Sequence, residues 1–344
     1  QIKIKKLTFF HKFAPAKNKD DNMESPFTNN SIATGNDFLS RKKDVSHLVS
    51  IIADGRHAVI YEPPRTGKRS LIQMALSQYE QNPGYHISQL SLLSTIDTED
   101  FQHQLDEIQS LPSEPRQVVC IEEFQNILRL EGYDKLLRQM EKEWQRPGGP
   151  VYIVSGSGVN AMKYIFEEKK FFYRLYDRVT LSPIDEKLIS DHIIRTFLRV
   201  GRVVEPQQTE YIYSLTDGHP WYIWQIANSC FNLTKGYLSD SLLSEAIDTL
   251  LYTHFTHFQE IVDSLSRYQV YLLRAIFDGV SKVSSTEVIH RYRLNSSANV
   301  HRIKEALTKK EVIMFDAQDN PRIIDPVFRV WLDRFYFKTM TTVK

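Results

Sequence analysis

The sequence predicts an α/β protein: a parallel-sheet core covered by helices, followed by an all-helical lid and a C-terminal winged helix. Three observations lead there. Short apolar runs alternate with helical stretches from His57 to about Pro183. The chain from Ile184 to His257 reads as helix throughout. From about Phe258, three helical patterns run into a hairpin signature. Strands that alternate with helices are joined by crossovers, which lay helices over both faces of a parallel sheet.

The elements follow in order. Strands are expected at His57–Tyr61, Tyr85–Leu93, Gln117–Ile121 and Val151–Ser155, with Val179–Leu181 as a candidate last strand. Ser70–Tyr79 and Thr98–Ser110 read as helices between them. Asp185 and Glu186 mark a helix start, and Thr216-Asp217-Gly218-His219-Pro220 is a punctuated turn between helices. Met314-Phe315 and Ile323-Ile324 flank a turn-rich loop, which suggests the wing. The expected organisation is a leader, tag or flexible arm over 1–24, a core over 25–183, a lid over 184–257 and a winged helix over 258–344.

Composition narrows the function classes. The 344 residues suit two or three domains, and 42% hydrophobic residues exclude a disordered chain. Basic and acidic residues nearly balance, 43 against 42, so any nucleic-acid contact must come from a local patch. Cys120 and Cys230 lack metal-ligand spacing and suit a reducing compartment. No apolar run reaches the roughly 20 residues of a membrane span, and a cytoplasmic location is expected.

The sharpest motif is Glu62-Pro63-Pro64-Arg65-Thr66-Gly67-Lys68-Arg69-Ser70, between a strand and a helix. In that setting successive backbone amides and a helix N-terminus face a polyphosphate. Against the P-loop pattern GxxxxGK[ST], Gly67 and Lys68 match, Glu62 replaces the first glycine and Arg69 replaces the hydroxyl residue. Lys68 can still reach β and γ phosphates. Glu62 must turn away or be neutralised, and the Mg²⁺-ligating hydroxyl is gone, with Ser70 one residue too late. Arg65 and Arg69 can offer charge to phosphate instead. The alternative is a basic turn that packs and binds nothing.

Val118-Val119-Cys120-Ile121-Glu122-Glu123 is an apolar strand ending in two carboxylates, the Walker B arrangement. Glu122 would orient Mg²⁺ indirectly and Glu123 would polarise the attacking water. Ser155 and Ser157, at the end of the Val151 strand, are candidates to sense a γ-phosphate. Arg174 and Arg178 are candidate arginine fingers, in cis or toward a neighbouring subunit.

On these landmarks the chain resembles the prokaryotic archaeal-type ATPases of the STAND branch of AAA-like proteins. The resemblance spans about Phe27 to Tyr336. It rests on Phe38-Leu39-Ser40-Arg41, Pro64-Arg65-Thr66-Gly67-Lys68, Ile121-Glu122-Glu123-Phe124-Gln125, Ser155-Gly156-Ser157, Gly218-His219-Pro220 and the segment from Asp325 to Leu332. The Glu-Pro-Pro start is similar to a Bacteroides-like variant. The resemblance implies an adenine pocket that includes Arg41, a place for His219 near the nucleotide phosphates, and ATP or ADP as ligand. The departures at Glu62 and Arg69 put Mg²⁺-dependent hydrolysis in question. Two readings stay open: a nucleotide-dependent switch or slow ATPase, and a winged-helix module on a degenerate P-loop scaffold. A small-molecule kinase fits less well, since no acceptor site is evident. The expected recognition helix runs from about Ser297 to Lys310, and the segment from Ser285 to Lys310 carries a local net charge of +4 that suits DNA, whereas a protein partner or self-association would use the same surface differently.

Overall fold

The computed structural model describes residues 25–27, 32–33, 38–112, 114–316 and 318–338. The arm expected at 1–24 lies outside them; Phe27, just beyond it, is buried against the lid.

The core opens with α1 (Lys42–Ala53), β1 (His57–Tyr61) and α2 (Lys68–Leu76). It continues through β2 (Tyr85–Ser91), α3 (Thr98–Gln109), β3 (Arg116–Glu122), α4 (Tyr133–Trp144), β4 (Val151–Gly156), the short α5 (Val159–Lys163) and β5 (Tyr176–Arg178). The five strands are parallel in the order β2-β3-β4-β1-β5. Alternate residues serve opposite faces. Ala58, Ile60, Val118, Cys120, Val151 and Ile153 pack under α1 and α2. Val59, Tyr61, Val119, Ile121, Tyr152 and Val154 pack with α3 and α4. Every side chain of β1 is therefore buried, which is why the strand reads as an unbroken apolar run.

The last strand lies three residues before the expected Val179–Leu181. Val179 N still donates to Val59 O at 3.0 Å, but the ladder stops there. The Val179 carbonyl accepts from Arg178 Nη1 at 2.7 Å, and the Tyr61 carbonyl also accepts from this guanidinium, so backbone acceptors that would extend the pairing are taken. Val179 and Leu181 remain buried without being paired.

The lid comprises α6 (Glu186–Leu198), α7 (Pro206–Leu215), α8 (Pro220–Leu233) and α9 (Asp240–Thr253). The helix start expected at Asp185 is real: its side chain accepts from Leu188 N. The chain continues through α10 (Phe255–Asp263), α11 (Arg267–Phe277), α12 (Thr286–Arg291) and α13 (Ser297–Lys309), then the hairpin β6 (Ile313–Phe315) and β7 (Pro321–Ile323), and α14 (Pro326–Trp331). The three helices α11, α12 and α13 with the hairpin are the winged-helix pattern. One hydrophobic cluster runs from Ile189 in α6 to Trp331 in α14, so lid and winged helix share a core.

The winged helix also clasps the sheet domain. Glu311, half-buried by the docking, accepts from Asn160 N, Ala161 N and Asn160 Nδ2 at 2.9–3.2 Å. Asn160 Nδ2 also donates to the Thr308 and Ile313 carbonyls, and Lys163 Nζ to the Phe315 carbonyl. Burial raises the Glu311 carboxyl above its ordinary value, and its amide donors hold the rise in check.

Candidate nucleotide site

The phosphate loop leaves the buried end of β1 and turns into α2 through Gly67. Gly67 has φ 98°, and a Cβ there would stand 2.8 Å from Arg41 Nη1, so glycine is required both for the backbone and for the close approach of Arg41. Thr66 Oγ1 closes the turn by donating to the Pro63 carbonyl at 2.9 Å. Lys68 is buried, and its ammonium folds back to donate to the Glu62 and Pro63 carbonyls at 2.7 and 2.8 Å. Burial lowers it from 10.5 to about 8, against the pull of Glu123 and Glu62.

Both departures from the motif have partners. Glu62 lies 3.5 Å from Arg178, whose guanidinium also stacks 3.4 Å over the Tyr61 ring. The sequence-predicted finger thus neutralises the carboxylate at the loop's start. Arg174 lies on an exposed loop beside Tyr173. Arg69 Nε donates to Glu122 Oε1 at 2.9 Å, joining the loop to the end of β3. Ser70 Oγ accepts from Ala33 N at 3.0 Å.

Glu123, at φ 53°, belongs to a polar cluster at the ends of β3 and β4. Its Oε2 accepts from Ser157 Oγ at 2.5 Å and from Gln125 Nε2 at 2.6 Å. Gln125 Oε1 accepts from Ser157 N at 3.2 Å. Of the two serines, Ser157 meets Glu123, whereas Ser155 is buried inside the sheet, opposite Ile60.

The remaining residues reach the loop from its sides. Arg41, itself at φ 72°, donates through Nη1 to the Thr66 carbonyl at 2.6 Å and through Nε to the Ser182 carbonyl at 2.7 Å. Asp44 receives Ser182 N and Oγ, both at 2.8 Å, and so fixes the start of the lid. His219 Nε2 lies 3.0 Å from the Pro64 carbonyl and so carries the proton; burial lowers the ring's pKa and favours the neutral form. The Arg65 guanidinium stacks 3.6 Å over Trp221, at the N-terminus of α8. Trp221 is not among the site residues expected from the sequence. Its position just after the Gly-His-Pro turn was the available signal.

These groups enclose a cavity of about 510 Å³, within the range of small-molecule sites. Its lining combines the charged Arg41, Arg65, Lys68, Arg69 and Glu123 with the apolar and aromatic Phe27, Phe38, Leu39, Ile184 and Trp224.

A divalent cation at a phosphate-loop site is held by the hydroxyl after the lysine and, through water, by the strand-end acid. Here the first position is a guanidinium, the acid is paired with it, and the next hydroxyl is engaged by Ala33 N. The donors present do not fit Mg²⁺ held in that way.

Residues 256–334 match the family model described as "Probable winged helix domain". Among solved structures, the Walker-type ATPase PABY2304 of Pyrococcus abyssi superimposes with a TM-score of 0.66 at 17% identity, covering 89% of this chain and 99% of that one. The Aeropyrum pernix ORC2 protein, solved as ADPNP-ADP complexes, gives 0.57 at 16% identity, covering 92% and 98%. No curated protein matches the chain in sequence. At these identities the likeness concerns the fold: a P-loop ATPase-type core with a helical lid and a C-terminal winged-helix domain.

Proposed function

We propose that the chain is a nucleotide-dependent switch. ATP or ADP binds between core and lid, and the shared body of lid and winged helix responds to its presence. The observation that carries this reading is the convergence on one loop of Arg41 from the core and of His219 and Trp221 from the lid. A polyphosphate would draw Lys68 from the two carbonyls it now serves and compete with Trp221 for Arg65. The aromatic lining of the cavity suits an adenine. Since lid and winged helix share one core, a shift at Trp221 is carried to the winged helix and works against its clasp on the sheet domain at Glu311. The size of that shift is limited by the ligand's differential affinity for the two arrangements.

Glu123, braced by Ser157 and Gln125, would position a water in any hydrolysis, which is expected to be slow or partner-dependent. The ordered landmarks support membership of the archaeal-type ATPases of the STAND branch, in the Bacteroides-like variant. The buried free thiols Cys120 and Cys230 suit a cytoplasmic site of action. Among the described residues, no helix is long and apolar enough to cross a membrane.

For the winged helix, a protein contact is the better-supported use. Lys304 lies 4.1 Å over Phe315 and faces Asp319, and Lys310 donates to the Ser264 carbonyl. Those two cations of the expected DNA-binding face already have partners inside the domain.

The test is a tryptophan-fluorescence titration, because Trp221 lies under Arg65. ADP and ATP should change the emission saturably in the wild type and not in Lys68→Ala. Equal responses from both proteins, or none from the wild type, would refute the proposal.

A further inference from the structure

We propose that this site takes its nucleotide free of divalent cation, with the Arg69 guanidinium standing where other phosphate loops place the metal. The inference rests on the nucleotide-binding reading above and specifies the ionic form of the ligand.

Three independent features point the same way. The first is the residue at position 69, where a side chain that can only donate replaces one that can ligate a cation. The second is its partner. Arg69 Nε is 2.9 Å from Glu122 Oε1, and Glu122 is the strand-end acid that would orient a metal's waters. That carboxylate is satisfied by a fixed positive charge, and a dication entering beside it would meet the guanidinium first. The third is Ser70, whose hydroxyl lies on the buried side of α2 and accepts from Ala33 N at 3.0 Å. It is not available to move up one position and restore the lost ligand.

What Arg69 offers in return is suited to bare phosphate. The bond to Glu122 uses Nε, and among the described residues no other hydrogen bond is made to Arg69, so both Nη groups remain for a ligand. The side chain is 65% exposed and lines the cavity beside Lys68. A guanidinium forks onto two oxygens of one phosphate group, and those oxygens are available only when no metal occupies them. Arg65, Lys68 and Arg41 line the same cavity and supply the further positive charge that uncomplexed nucleotide requires. Glu122 therefore acts as a positioning residue for Arg69.

The experiment is a calorimetric titration of ATP and of ADP into the full chain, once with EDTA and once with excess Mg²⁺. It is repeated for Arg69→Thr and Arg69→Lys, with thermal melts to confirm that both variants are folded. The wild type should bind at least as tightly in EDTA as in Mg²⁺. Arg69→Thr should lose roughly tenfold or more in EDTA and recover when Mg²⁺ is present, since the hydroxyl and Glu122 then form the usual ligand pair. Arg69→Lys should retain more of the EDTA affinity than the threonine variant. With Mn²⁺ as a spin probe, the wild type should show no nucleotide-dependent immobilisation of the ion, whereas Arg69→Thr should. Wild-type binding that weakens tenfold in EDTA overturns the inference and leaves nucleotide binding standing. Metal-independent binding that survives Arg69→Thr unchanged removes Arg69 from the account. Absence of binding in both conditions overturns the functional reading and this inference with it.

Discussion

Lys68 is the residue whose replacement should move stability and function in opposite directions. Its ammonium is buried without a phosphate and held by two loop carbonyls at 2.7 and 2.8 Å. Burial takes it from 10.5 to about 8. At about 1.4 kcal/mol per tenfold change in protonation, this corresponds to a cost of about 3 kcal/mol for keeping Lys68 charged in the folded, ligand-free protein. The folded value lies below the unfolded one. Between pH 8 and 10.5 the unfolded chain therefore binds more protons, and stability rises with pH across that window. The cost is complete below pH 8 and gone above 10.5. Lys68→Met removes it and forfeits two hydrogen bonds, together about 2 kcal/mol. The net gain near pH 7 is about 1 kcal/mol, a rise of about 2 °C in the melting of the core. The assay is a nucleotide-free thermal melt of both proteins at pH 7 and pH 10. The variant should melt higher at pH 7, with the advantage shrinking at pH 10, and it should bind no ADP. A variant that melts below the wild type at pH 7, or whose advantage ignores pH, would refute the reasoning.

Other perturbations test the neighbouring contacts. Arg65→Ala removes the stack on Trp221, worth about 1 kcal/mol, and should speed amide exchange at the start of α8 roughly fivefold; unchanged exchange would mean that the stack does not hold the lid. Glu311→Ala leaves the Asn160 and Ala161 amides without their acceptor. It should cost about 2 kcal/mol, seen as faster proteolysis between sheet domain and winged helix, and undiminished resistance would assign the clasp elsewhere. On α13, Arg302 and Lys309 are exposed and, among the described residues, their side chains make no hydrogen bond or ion pair. Any DNA affinity resting on those two should fall only about tenfold between 50 and 200 mM salt, measured by anisotropy. A much steeper fall would bring further cations, and DNA itself, back into the account.

The sheet was legible because its central strands are buried on both faces and so appear as short apolar runs; β1 and the interior of β3 fall where expected. The helices that announce themselves carry side-chain caps: Asp97 before α3, Asp185 before α6 and Ser296 before α13. The helices α1 and α4 were not anticipated. They begin after Arg41 and Gly132 in left-handed conformation, with no capping side chain to mark the start. At the site, the loop could be read from local order, because Gly67 and Lys68 act through backbone geometry next to them. The pairings could not. Arg69 meets Glu122 across 53 positions, and Arg178 meets Glu62 only because β5 lies beside β1 in the sheet. Choosing between Ser155 and Ser157 needs the end of β4. The strand closes at Gly156, which leaves Ser155 inside the sheet and Ser157 beyond its edge.

The most direct test of nucleotide binding by this loop is proton uptake. At pH 8 about half of the Lys68 side chains are neutral in the free protein. A polyphosphate beside the amine raises its affinity for a proton, so binding should take up a fraction of a proton approaching about one half. Titrating ADP at pH 8 in two buffers of different ionisation enthalpy gives that fraction from the difference in apparent heat. Uptake of this size in the wild type, with no binding by Lys68→Ala, is the predicted result. Binding with no proton uptake, or with equal affinity in Lys68→Ala, would contradict the claim that Lys68 in this loop holds the phosphates.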